Sequence, residues 1–204
     1  MKNTKVKFTT QMLCFIGLFG ALSTVLMLFK LPLPFAPAFM KLDVAELPAI
    51  MGSFMFGPLA GFFIVVVKLA LNLLINGTDS MYVGELSNLL LSSIYVLSAS
   101  LLYKKKKTKK RAAVSLAVGV ISTSVIALFS NTFFIFPAYA VVYGLGMDKI
   151  VGMASAVNPL VHDTFTMMIF SVLPFNLIKY GVVSVITFFV YKKLHLFIQR
   201  ILNT

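Results

Sequence analysis

Six apolar runs, at roughly 8–29, 44–62, 64–76, 84–103, 112–137 and 165–195, leave this chain few ways to fold. About 20 apolar residues in a helix cross about 30 Å of hydrocarbon, and only the third run is too short for that. It tilts, breaks near Asn72 and Asn76, or extends back through Gly61. Gly57-Pro58-Leu59-Ala60-Gly61 separates it from the second run, because proline removes a helix donor and glycine accepts turn conformations. With 59% apolar side chains and only six acidic ones among 204 residues, the chain has more apolar surface than a water-facing domain of this size can cover. The expected class is an all-α integral membrane protein, a single domain over 1–204.

The net charge of +12 is collected between the apolar runs. Lys2, Lys5 and Lys7 precede the first run, Lys104 to Arg111 separates the fourth from the fifth, and Lys192, Lys193 and Arg200 come at or after the end of the last. Cytoplasmic loops of membrane proteins carry such excess positive charge. Six transmembrane helices with cytoplasmic N and C termini put all three clusters inside, whereas five or seven spans strand the last one outside. Nucleic acid is not expected as a partner, since no basic surface interleaved with aromatic residues is present.

Other classes lose their footing on what the sequence lacks. Cys14 is the single cysteine and reads as a packing residue, and His162 and His195 have no partners at ligand spacing, so neither a disulfide nor a metal site is expected. Phe8 to Phe29 is too long for a signal-peptide core. No internal repeat, phosphate-binding loop or Gly-x-Ser-x-Gly nucleophile occurs, so no catalytic residue is assigned, and an importer would draw its energy from other subunits.

The six-span topology puts three connections outside, about 30–43, 77–84 and 138–164, with polar groups near them. Asp43, Glu46, Asn76, Glu85, Asn88, Asn131, Asn176 and Lys179 would come to one depth, the layout of a pocket opening outward. Asn176 and Lys179, at i and i+3, share a helix face, and a lysine inside hydrocarbon either snorkels to the interface or faces a cavity. Asn88 and Asn131 could equally bond neighbouring helices. Asp43 and Glu46 could stabilise a helix N-terminus, as could Glu85. Lys68 reads as interfacial or partner-facing. Gly17-x-x-x-Ala21 and Gly20-x-x-x-Thr24 give the first helix small-residue stripes that permit close helix approach, to a partner or within the chain.

Several blocks together carry a family resemblance. They are Leu31-Pro32-Leu33-Pro34 with Leu42-Asp43 and Pro48; Phe56-Gly57-Pro58-Leu59-Ala60-Gly61 with Lys68; Val83-Gly84-Glu85-Leu86-Ser87-Asn88; Asn131 with Pro137-Ala138-Tyr139; and Leu173-Pro174-Phe175-Asn176-Leu177-Ile178-Lys179. In their order and spacing the chain resembles the substrate-binding S components of energy-coupling-factor (ECF) vitamin importers, most closely those for riboflavin. The resemblance implies a multi-pass protein of a bacterial cell membrane that holds the vitamin near the extracellular face. Asn131, Asn176 and Lys179 would hydrogen-bond the flavin, the loop after the first helix would cover it, and no cofactor would be needed. It also implies a transmembrane coupling protein and two ATPases as partners, with Gly17 and Ala21 facing the coupling protein, and tipping of the S component in the membrane to release its cargo. The chain departs from the family pattern at Tyr180, at Leu69 and in a longer 138–170 segment.

A planar isoalloxazine suits the residues on hand. Amides and one cation can read its polar edge while Phe35, Phe39, Tyr82 or Tyr143 cover its faces. The expected binding set is therefore Asn131, Asn176, Lys179, Asn88, Glu85, Asp43, Phe39 and Tyr82. Alternatives are another vitamin or a flavin nucleotide as cargo, a membrane enzyme using Asp43, Glu46 or Glu85, or an assembly subunit without a ligand.

Overall fold

The computed structural model describes residues 9–37, 39–78 and 80–202; Lys2, Lys5 and Lys7 lie outside the described residues. Helix α1 (Thr10–Met27) starts where Thr9 Oγ1 accepts the Met12 N–H. Two-residue strands β1 (Leu31–Pro32) and β2 (Lys41–Leu42) then pair antiparallel, a small departure from an all-α chain. Next come α2 (Glu46–Phe56), α3 (Pro58–Asn76) and α4 (Val83–Lys104). Helix α5 (Lys109–Ser130) continues through a π-helical turn (Asn131–Ile135) into α6 (Phe136–Val142). A surface helix α7 (Met147–Ser155) fills the expected outer connection. The last unit is α8 (Thr164–Met167), a second π-helical turn (Met168–Val172) and α9 (Leu173–Leu202).

Among the described residues, five helices are long and apolar enough to cross a membrane: Thr10–Met27, Pro58–Asn76, Val83–Lys104, Lys109–Val142 and Thr164–Val190. The second and third runs exchange roles relative to the sequence reading, for α2 has 11 residues and α3 has 19. The break falls at Gly57, whose φ of 101° only glycine adopts without strain, and Pro58 occupies the first helical position, where its missing N–H costs nothing.

Two contacts set the depth of α2. Phe54 stacks on Tyr103 at 4.2 Å, so the C-terminal end of α2 lies level with that of α4. Glu46 meets Lys68 and Ser92, near the middles of α3 and α4. An 11-residue helix covers only about 16 Å. The segment 28–45 therefore descends to mid-depth before α2 begins.

Helix α1 packs on α3 through one of its two small-residue stripes. A Cβ at Gly20 would overlap Val67, and Thr24 Oγ1 donates to the Gly20 and Lys68 carbonyls at 2.9 and 3.1 Å. Gly17 and Ala21 face outward, with nothing within 4 Å of the space a Gly17 Cβ would take.

The descending segment is tied to the last helical unit. Pro174 has no N–H, which leaves the Phe170 carbonyl without its helical donor. Asn158 Nδ2 supplies one at 3.0 Å and reaches the Phe35 carbonyl at 3.4 Å, where Ser171 Oγ also donates at 3.0 Å. Asp163 caps α8; the Thr166 backbone N–H and hydroxyl hold its carboxyl below the usual range.

Candidate functional site

Two cavities meet among α4, the π-helical turns and the descending segment. The larger, about 430 Å³, is lined by Lys30, Phe39, Lys41, Asp43, Asn72, Ser80, Glu85, Asn88, Tyr139, Tyr143 and Lys179, with Leu145, Ile150 and Met153 from the α7 region. The smaller, about 130 Å³, includes Asn88, Asn131, Phe136, Tyr139, Phe175, Asn176, Lys179 and Tyr180. Asn88, Tyr139, Phe39, Lys41, Gly84 and Lys179 line both, so the two spaces are lobes of one site.

Asn131 opens the first π-helical turn, and its Nδ2 donates to the Ala127 carbonyl at 2.7 Å. Asn176 comes after the second, and its Nδ2 donates to the Val172 carbonyl at 2.8 Å. A π-helical turn adds a residue to a helical turn and re-aims the side chains beyond it, which is why such turns recur at functional sites. Here both flank the smaller lobe, each beside an amide fixed by its own helix.

Lys179 is nearly buried, and its Nζ lies 3.1 Å from Asp43 Oδ2 and 3.6 Å from Glu46 Oε1. It faces a cavity and does not snorkel. Asp43 does two things at once: Oδ1 accepts the Ala45 N–H at 3.0 Å in the turn ahead of α2, whose N-cap Ala45 has no side-chain cap, while Oδ2 holds Lys179.

Lys68 requires a correction. It is completely buried, neither interfacial nor partner-facing. Because α3 begins at Pro58, Lys68 falls at mid-helix, where an ammonium must find partners inside the protein. It finds Glu46 Oε1 at 3.0 Å, Asn88 Oδ1 at 3.2 Å and Ser92 Oγ at 3.3 Å. Ser92 Oγ also lies 2.7 Å from Glu46 Oε1, whereas Glu46 Oε2 is buried without a hydrogen-bond partner.

Of the eight residues expected to bind ligand, seven line one or both lobes. Tyr82 lines neither: it adopts φ 69° ahead of α4 and is 64% exposed. Phe35 offers its carbonyl to Asn158 and Ser171 and contributes no lining. Asn76 is exposed and donates to Asn72 Oδ1 at 2.8 Å. The aromatic wall is instead Phe39 edge-on to Phe136 at 5.9 Å, Phe39 beside Tyr139 at 5.7 Å, and Tyr139 stacked on Tyr143 at 5.8 Å. Sequence reasoning missed Asn72, Ser80, Lys30 and Lys41 as lining residues. Asn72 was the findable one, since it lies four residues after Lys68 in an apolar run and shares its face. Among the described residues no group of three His, Cys, Asp or Glu side chains could hold a metal ion.

A family model described as "ECF transporter, substrate-specific component" matches residues 11–191. The riboflavin transporter RibU of Staphylococcus aureus (strain TCH60) is 29% identical over 91% of each chain. The riboflavin transporter FmnP of Bacillus subtilis (strain 168) is 28% identical over 91% of this chain and 92% of its own. A solved S component of a bacterial ECF transporter superposes with a TM-score of 0.71 at 28% identity, covering 92% of this chain and 97% of that one.

Proposed function

The chain belongs to the family of ECF transporter substrate-specific components, and on that premise we propose that its cargo is riboflavin. It is a transporter component and not an enzyme, so the vitamin is carried and not used as a cofactor. The observation that supports this reading best is the two-lobed cavity, where the fixed amides of Asn131 and Asn176 and the Lys179 ammonium share the smaller lobe. A space of about 430 Å³ beside it suits a drug-sized ligand. Asn131, Asn176 and Lys179 read the polar edge of the isoalloxazine, and Phe39 covers a face together with Tyr139. Asp43, Glu85 and Asn88 offer hydrogen bonds to the ribityl hydroxyls.

The whole chain, 1–204, acts as one transmembrane domain of six crossings with both termini in the cytoplasm. The sixth crossing is the descending segment completed by the short α2. Cargo enters from outside, and a separate coupling protein with two ATPases drives delivery. The outward Gly17 and Ala21 form the face for that coupling protein. Gly17→Leu is expected to abolish co-purification with an energising module while leaving riboflavin affinity unchanged; intact assembly would move the contact elsewhere.

Isothermal titration of the detergent-purified chain with riboflavin, FMN and thiamine tests the assignment. Riboflavin should bind and thiamine should not, and silence for riboflavin ends this reading. Lys30 and Lys41 in the larger lobe favour a second cargo, a flavin nucleotide, whose phosphate they would meet; tighter binding of FMN than riboflavin would select it. Asn131→Ala and Asn176→Ala should each weaken riboflavin binding at least about tenfold, or about 1.4 kcal/mol. Unchanged affinity in folded protein removes that residue from the site.

A further inference from the structure

Lys68 lines neither lobe, yet it shares a carboxylate with the cation that lines both. Glu46 presents one oxygen, Oε1, to three donors: Ser92 Oγ at 2.7 Å, Lys68 Nζ at 3.0 Å and Lys179 Nζ at 3.6 Å. Lys68 and Ser92 hold the close positions on Oε1, while Lys179 stays in ion-pair range of Glu46 at 3.6 Å but hydrogen-bonds Asp43 alone among the described residues. An ammonium has three donors, so two remain for a guest. We propose that Lys68 is a positioning residue for ligand binding: by occupying Glu46 it keeps Lys179 from being drawn onto that carboxylate and leaves its donors facing the cavity.

Removal of Lys68 would leave two buried carboxylates to one ammonium. Lys179 would then move onto Glu46, because an uncompensated charge in a low-dielectric interior takes the nearest counter-charge. Neutralising Glu46 as well removes that pull, and a buried ion pair replaced by neutral side chains of similar volume is often tolerated.

The inference rests on the riboflavin reading, and the experiment separates the two. Riboflavin binding is titrated by quenching of its fluorescence for the parent, Lys68→Met, and the double variant Glu46→Gln/Lys68→Met, with size exclusion and thermal melting as checks of folding. Lys68→Met should bind at least about tenfold more weakly, and the double variant should return to within about threefold of the parent. A structural role alone would lower the melting midpoint of Lys68→Met and leave the affinity of its folded fraction unchanged, which overturns the proposal, as does a double variant that binds as weakly as the single one. If Lys68→Met fails to fold, Lys68→Gln takes its place with the same expectations, and weak binding or misfolding of the double variant overturns the proposal. A parent chain that binds no riboflavin removes the functional reading and this one with it. A parent that binds while the pair behaves otherwise removes this one only.

Discussion

Lys179→Ala should weaken riboflavin binding at least about tenfold, and no other single substitution in the cavity is expected to cost as much affinity. Two losses coincide. The guest loses a cation common to both lobes, and a hydrogen bond to a charged group is worth about 1.5–3 kcal/mol. Asp43, nearly buried, loses its counter-charge, and breaking a buried ion pair from one side costs about 3–5 kcal/mol. The second loss falls on the protein with or without ligand, so the melting temperature of the empty form should drop as well. Asp43→Asn/Lys179→Ala separates the two effects: thermal stability should largely return and affinity should not. Folded Lys179→Ala with parental affinity would place the vitamin elsewhere.

A second large effect, on stability alone, is expected at Gly61→Leu. A Cβ there would overlap Ser53 Cβ and Val96 Cγ1 and lie 3.2 Å from the Ala49 carbonyl, so three elements, α2, α3 and α4, would have to part. Overpacking of this kind costs about 1–3 kcal/mol and more where backbone cannot yield. Size-exclusion melting in detergent should show a clear fall in midpoint or loss of the monomer peak. An unchanged midpoint would mean that α2 and α3 are not packed as described.

Much of this was legible in the sequence because hydrocarbon imposes strict demands. Every long apolar run except the second became a membrane-length helix, and the chain break was readable at Gly57-Pro58. The lengths on either side were harder to read, since apolar residues continue through the break and carry no periodicity that assigns them to one helix or the other. Most of the site was legible for a related reason. Asn131, Asn176, Lys179, Asn88, Glu85 and Asp43 are polar groups in or beside apolar runs, and each such group needs a partner or a cavity.

The misses have physical causes too. Lys68 was misplaced because its role depends on where α3 begins. Tyr82 was expected to cover a flavin face, but it stands at the left-handed cap of α4, is exposed and lines neither lobe. Helix α7 is short and contains Gly152, and the sequence sets no expectation for it beyond an outer connection; it buries Ile150 and Ala154. The bonds from Asn158 to Phe35 and Phe170 join positions 123 and 12 residues away, a pairing that no sequence window contains.

Lys68, Lys179, Asp43 and Glu46 together carry two positive and two negative charges deep in the protein. Their sum is zero. Moving one elementary charge through a potential of 100 mV takes about 2.3 kcal/mol, but a neutral quartet carried with an uncharged guest does no such net work. Displacing this core as a unit along the field therefore does no net work in these four residues, and rotating it works only against the short dipoles of its ion pairs. Membrane voltage thus has no net charge to act on in this quartet.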